Sequence, residues 1–130
     1  MVNNKIMKRL LLLFLLFTMP VQAKHLHLEK EYQQKWCDAR GGITEYKLDD
    51  KTRVDCLLPE MAVEFDFANK WAECIGQAIY YGKKTNRIPA CVLIIENPKK
   101  DYKFVRRLRY AVYKRKKIEK FCTFTVKWQD

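Results

Sequence analysis

Between Arg53 and Tyr81 the spacing of apolar positions changes twice. Val54 to Leu58 is apolar except for Asp55, and Pro59-Glu60 interrupts it. From Met61 to Phe67 the pattern alternates, with Ala62, Glu64 and Asp66 on one face and Val63, Phe65 and Phe67 on the other. Beyond Phe67 the period lengthens to that of a helix. Asn69 is its expected N-cap, Tyr81 its approximate end and Gly82 its stop. The pattern therefore predicts strand, turn, strand, helix. Lys70, Cys74, Gln77 and Tyr81 share one stripe of that helix.

The flanks extend this order. His25 to about Ala39 predicts a first helix, with Leu28, Tyr32, Lys35 and Trp36 on one stripe and Gly41-Gly42 ending it. Ile43 to Leu48 predicts a strand, joined through Asp49-Asp50-Lys51-Thr52 to the strand beginning at Arg53 as a hairpin. The run Ala90 to Ile95 is wholly apolar, as in a buried parallel strand. Asn97-Pro98 breaks it. Tyr102 to about Lys114 predicts a helix with Phe104, Val105, Leu108 and Val112 inside, and Ile118 to Val126 a closing strand. The expected fold is α/β, in the order αβββαβαβ, as one domain.

Three acids, Asp55, Glu64 and Asp66, interrupt apolar strands. Removing a carboxylate from water is costly unless it is paired or neutralised by a cation. A divalent ion with oxygen ligands meets that need, and Mg²⁺ or Mn²⁺ is the expected cofactor. The plain alternatives are a solvated strand face for Glu64 and Asp66, and a pairing of Asp55 with Arg53. A cysteine nucleophile on Cys74 is disfavoured, because the only histidines are His25 and His27, beside the expected cleavage point after Ala23.

This arrangement resembles the PD-(D/E)XK nuclease superfamily, closest to its RecB-type branch. Asp55 matches the acid of the first core strand, Glu64-Phe65-Asp66 the second motif, and Gln77-Ala78-Ile79-Tyr80-Tyr81 the Q-x-x-x-Y motif of the following helix. The motifs cover about the central quarter of the chain. The family's lysine two residues after Glu64 is Asp66 here, and Lys70, one helical turn on, takes its place by analogy with relatives that carry the lysine on this helix. The resemblance implies a restriction-endonuclease-like αβββαβ core with a mixed sheet, followed here by a basic helix and strand. It implies metal ligation by Asp55, Glu64 and Asp66, and catalytic roles for Lys70, Gln77 and Tyr81. An upstream acid on the first helix, Glu31 or Glu29, is a further accessory.

Charge changes the picture at the C-terminal end. The 130-residue chain has a net charge of +11. Residues Lys99 to Lys120 hold eleven basic and two acidic side chains, a net of +9. Such a segment fits a polyanion, with Lys103, Arg106, Arg107, Arg109, Lys114 and Arg115 as the expected nucleic-acid contacts. An anionic membrane surface is the other candidate. At the N-terminus, Lys5, Lys8 and Arg9 precede an apolar run from Leu10 to Phe17, and Pro20 to Ala23 suits a signal peptidase. A signal peptide over 1–23 and a domain over 24–130 follow, with no stable membrane span after cleavage. The expected location is secreted or periplasmic. Disulfides are permitted there, and five cysteines leave at least one without a partner in the chain.

The function expected is an exported metal-dependent nuclease, with DNA favoured as substrate. Two alternatives stay open at this point. One is a catalytically silent nucleic-acid-binding protein on the same fold. The other is a small exported interaction or inhibitor protein.

Overall fold

The computed structural model describes residues 24–113 and 120–129. The signal-peptide expectation and the expected contacts Lys114 and Arg115 lie outside those residues. The elements are helix α1 (Glu29–Asp38), strands β1 (Ile43–Lys47), β2 (Arg53–Leu57) and β3 (Met61–Phe67), helix α2 (Trp71–Thr85), strand β4 (Ile88–Ile94), helix α3 (Pro98–Tyr113) and strand β5 (Cys122–Val126). The order is the αβββαβαβ read from the sequence.

The five strands form one mixed sheet in the order β1-β2-β3-β4-β5. The first three pair antiparallel through short turns. Strands β3, β4 and β5 run parallel, because a parallel neighbour needs a crossover long enough to hold a helix. Helices α2 and α3 are those crossovers. Helix α1 covers one face, where Trp36 and Cys37 pack on Cys56, Val63, Phe65 and Val92. Helices α2 and α3 share another cluster, in which Cys74, Ala78, Val105, Leu108 and Val112 pack with Cys91 and Leu93. Strand β3 thus lies deep in the sheet, buried over Ala62 to Asp66.

Two disulfides staple helices to strands. Cys37–Cys56 ties α1 to β2, and Cys74–Cys91 ties α2 to β4. Cys122 is free and partly exposed. Gly42 passes against the first disulfide so closely that a Cβ would meet Cys37 Sγ at 2.6 Å and Cys56 Sγ at 2.7 Å.

Several boundaries differ from the sequence expectation. Helix α1 begins at Glu29 rather than His25. The His25 ring instead stacks on Phe67 at 3.5 Å and bonds Glu96 at 2.8 Å, which ties the segment to the sheet outside any helix. Asn69 does not cap α2. It sits inside a 3₁₀ turn, Ala68–Lys70, and Lys70 is the residue that precedes the helix. Gly82 does not stop α2, which runs on to Thr85 and closes on Asn86 in the left-handed conformation. A glycine is needed at 82 for packing, since a Cβ would lie 2.9 Å from the Arg87 carbonyl oxygen and 3.1 Å from Pro89.

Strand β4 starts earlier than Ala90 and includes Pro89. Pro89 pairs only with Ala62, because β5 joins one residue later at Ala90, so no ladder bond is lost. Helix α3 starts at Pro98, where a missing N–H costs nothing. Asp101 Oδ2 accepts from the Glu96 and Asn97 N–H groups at 3.0 and 2.8 Å and secures that start.

Candidate functional site

The site is built where β2 and β3 stop pairing. Their ladder holds at Leu57↔Ala62 and Cys56↔Val63, beside the turn. One step on, where Asp55 and Glu64 would face each other, side chains replace the ladder. Asp55 Oδ2 accepts from the Phe65 N–H at 2.8 Å, and the Asp55 N–H points at Glu64 Oε1 at 3.4 Å. The two strands open as a fork with both carboxylates at its crotch.

The other edge of β2 is irregular at the same level. Glu45 on β1 takes a positive φ of 53°, a conformation that costs a side-chain-bearing residue energy. Gln33 of α1 satisfies the groups involved. Its Nε2 donates to the Asp55 carbonyl oxygen at 2.7 Å and to Glu45 Oε1 at 3.0 Å. Gln33 is 3 % exposed. Glu29, Gln33 and Cys37 are spaced one turn apart on α1. They supply in turn a carboxylate near the site, a clamp on Asp55 and a covalent tie to Cys56.

Glu64 and Asp66 are each 4 % exposed. A solvated strand face is therefore excluded for both. Asp66 lies one pleat further along β3, with Lys70 Nζ at 3.9 Å from its Oδ1. Lys70 itself is half-exposed at the entry to α2. Glu29 and Glu73 add their charge around Asp66.

Burial dominates the electrostatics. It is the largest cause raising both Asp55 and Glu64 above the usual carboxylate range, and the neighbouring Asp55 charge pushes Glu64 up further. The pair holds a proton into the neutral range. Asp66 is raised to about 7, first by burial and then by Glu29, with Lys70 opposing. Glu29 is raised to about 7, first by burial and then by Asp55. Four acids thus crowd one opening and repel one another.

Asp55, Glu64, Asp66 and Lys70 come together. Tyr81 is buried beside them, its phenol held above its ordinary value by burial and then by the Glu64 charge. Gln77 does not join them; it is exposed on α2. The stripe reading failed there because Cys74 and Ala78 are the positions that turn inward. Of the two accessory acids, Glu31 is spent on the helix start, accepting from the Leu28 N–H at 2.6 Å, and Glu29 is the one whose charge reaches Asp55 and Asp66. Gln33, Glu45 and Glu73 were not legible as site residues. The four-residue spacing of Glu29, Gln33 and Cys37 was the available signal.

The donor set suits a hard divalent cation: oxygen atoms only, from adjacent carboxylates that burial leaves short of a counter-charge. Among the described residues no three His, Cys, Asp or Glu side chains stand as a complete metal-holding group. A Mg²⁺ ion asks for less, since one or two carboxylates suffice when waters fill the remaining positions.

Helix α3 buries Val105, Leu108 and Val112 and leaves Lys103, Arg106, Arg107 and Arg109 exposed. Lys103 Nζ and the Arg107 guanidinium lie 4.9 and 5.5 Å from the Phe104 ring centre. Among the described residues no helix is long and apolar enough to cross a membrane. Comparison of the chain with protein-family models, with curated proteins and with solved structures finds no match.

Proposed function

We propose that the chain is an exported metal-dependent nuclease of the PD-(D/E)XK type, acting on the phosphodiester bonds of nucleic acid, with DNA favoured. The observation that carries this reading is the fork, where the Asp55 and Glu64 carboxylates are buried side by side at the point where β2 and β3 part. The αβββαβ order, with β1 to β3 antiparallel and β4 parallel to β3, is compatible with a restriction-endonuclease-like core. The two disulfides are compatible with an oxidising destination.

Asp55 and Glu64, with Asp66 beside them, would hold Mg²⁺ or Mn²⁺. An ion bound there supplies a Lewis acid for the phosphoryl group and activates water. The chain's own groups do the rest. Asp55 and Glu64 give up the proton that burial makes them hold. Lys70 brings a positive charge to the outer edge of the acids, where a scissile phosphate must approach. Glu29 stands at the same opening as a proton acceptor whose pKa of about 7 suits general-base work. Tyr81 backs Glu64 from α2. The basic face of α3 neutralises phosphates outside the reacting group.

Supercoiled and linear DNA incubated with the purified protein and Mg²⁺ or Mn²⁺ test this. Cleavage is expected, with EDTA and Glu64→Ala each abolishing it. Lys70→Ala should slow it by about 10²–10³ while leaving metal affinity close to wild type, as for loss of one group that stabilises developing charge. Salt-dependent DNA binding without cleavage selects the second reading, a binding protein with a silent site. Asp66 at the position of the family's lysine is the observation that favours that reading.

A further inference from the structure

We infer that the outer edge of β5, with the cleft between it and α1, is a docking site for an acidic, extended segment of a partner protein, which joins the sheet as a sixth strand. The site is independent of the acid fork, which is built on β2 and β3 rather than on this edge.

The two edges of the sheet differ. On β1 the pairing with β2 skips Glu45, where φ is 53°, so that edge is broken in its middle. Strand β5 pairs with β4 through five consecutive residues, from Ala90↔Cys122 to Ile94↔Val126. The Ile95 N–H donates to the Val126 carbonyl oxygen at 2.9 Å. The backbone groups of Cys122, Phe124 and Val126 therefore turn toward β4, and by the alternation of a strand those of Thr123 and Thr125 turn outward. Among the described residues β5 has no second neighbour in the sheet. Thr125 is exposed. A regular row of outward donors and acceptors is what an added strand requires.

The flank supplies charge. Helix α1 and the end of β5 enclose a cleft of about 420 Å³, whose lining includes Lys35, Arg40 and Lys127 and no acidic side chain. Among the described residues none of these three cations has a carboxylate within ion-pair distance. Trp36 and Trp128 also line the cleft, but both rings are occupied. The Arg40 guanidinium lies 3.6 Å from the Trp36 ring centre and the Lys35 ammonium 4.4 Å from that of Trp128. The cleft is thus fitted to charge and backbone, not to an aromatic ligand. Lys35 Nζ also donates to the Gln129 carbonyl oxygen at 2.6 Å, which ties down the chain beyond β5.

Charge complementarity selects the occupant. A second copy of this chain would bring the same cations against these. The chain's own stretches 1–23 and 114–119 together hold seven basic residues and one acid, so neither complements the cleft. A nucleic acid meets the cations but has no peptide groups to continue the ladder. An extended acidic segment satisfies both the edge and its flank.

The test uses the full chain with its disulfides intact. The probe is a fluorescein-labelled peptide of alternating glutamate and valine, followed by fluorescence anisotropy, with lysine replacing glutamate in the control peptide. Saturable binding of the first and none of the second is expected. Amide hydrogen exchange read by NMR should show the Thr123 and Thr125 N–H groups gaining protection when the peptide is added. Thr125→Pro removes one outward N–H and leaves the ladder to β4 whole. It should weaken binding by about three- to tenfold, as for loss of one backbone hydrogen bond. Lys35→Gln and Arg40→Gln should each weaken binding and flatten its dependence on salt. Lys47→Gln, on β1, should change nothing. No new protection at Thr123 and Thr125, or equal binding of the lysine peptide, would overturn the docking site. An oligothymidine that displaces the peptide, and whose own binding falls in Arg40→Gln but not in Thr125→Pro, would overturn it in favour of a plain phosphate-binding face. Sedimentation equilibrium showing a dimer that Thr125→Pro dissolves would overturn it in favour of self-pairing.

Discussion

Two substitutions separate the chemistry of the fork from its architecture. Glu64→Gln keeps the shape and one hydrogen-bond acceptor of the protonated carboxyl but cannot become a carboxylate for a metal. Burial and Asp55 hold Glu64 well above the usual range, so the metal-free protein should be no less stable in the glutamine form at pH 8, while metal-dependent cleavage disappears. Thermal melts in EDTA check the first half and DNA cleavage the second. A fall of several degrees in the EDTA melt would contradict a buried, protonated Glu64. Gln33→Ala acts differently. It leaves the Asp55 carbonyl and Glu45 without their bonds at 2.7 and 3.0 Å, inside a site where an unmet polar group costs about 1–3 kcal/mol. Urea denaturation should show a loss of that size. Cleavage should fall as well, because Asp55 is no longer held against the fork.

At the scale of elements, the staples and close contacts fix how helices meet strands. Cys37–Cys56 joins residues 19 apart in sequence, and closing a loop of that size is worth about 3 kcal/mol through the unfolded chain. Its removal in a Cys37→Ala, Cys56→Ala double variant should lower the denaturation midpoint accordingly. The effect on the site should exceed the effect on the fold, since the same helix carries Glu29 and Gln33. Weakened Mn²⁺ affinity, measured by calorimetry on the folded variant, is the expected result. Helix α2 was legible as a helix from its stripe, but its ends were not. Asn69 and Gly82 have the local chemistry of cap and stop, and tertiary packing overrode both. The turn at Ala68–Lys70 and the close approach of Pro89 to Gly82 use those residues for other purposes.

For the whole molecule, the acid cluster sets a pH dependence. Unfolded, Glu29 and Asp66 titrate near 4.5 and 3.8; folded, both are raised to about 7. Between those limits the folded chain binds more protons than the unfolded one. Stability without metal must therefore fall as pH rises from about 4 to about 7, and go on falling above that as Glu64, held higher still by burial and by Asp55, loses its proton. A divalent cation that binds the ionised carboxylates reverses the trend. At a hundredfold excess over its dissociation constant it should add about 2.7 kcal/mol, with the gain larger at pH 8 than at pH 5. Melting curves across pH, with and without Mn²⁺, check both. A melting temperature that rises with pH in EDTA would contradict the burial of these acids.

Much of this protein was legible along the chain, because local periodicity and side-chain type are local properties. The element order, the extent of β3 and the parallel character of β4 follow from two- and 3.6-residue spacing and from a wholly apolar run. So does the candidacy of Asp55, Glu64 and Asp66, since an acid inside an apolar strand is an energetic anomaly at any fold; Lys70 was a candidate through the family resemblance. The remainder depends on which elements face each other. Only packing of α1 on β2 selects Glu29 over Glu31 and makes Gln33 the clamp on Asp55. Only the seating of α2 turns Gln77 to solvent while Tyr81 goes inside. The pairing of four cysteines needed the same information. So did the lining of one groove by Trp71 and residues of α3, which follows from the packing of α3 against the turn leading out of the acid strand.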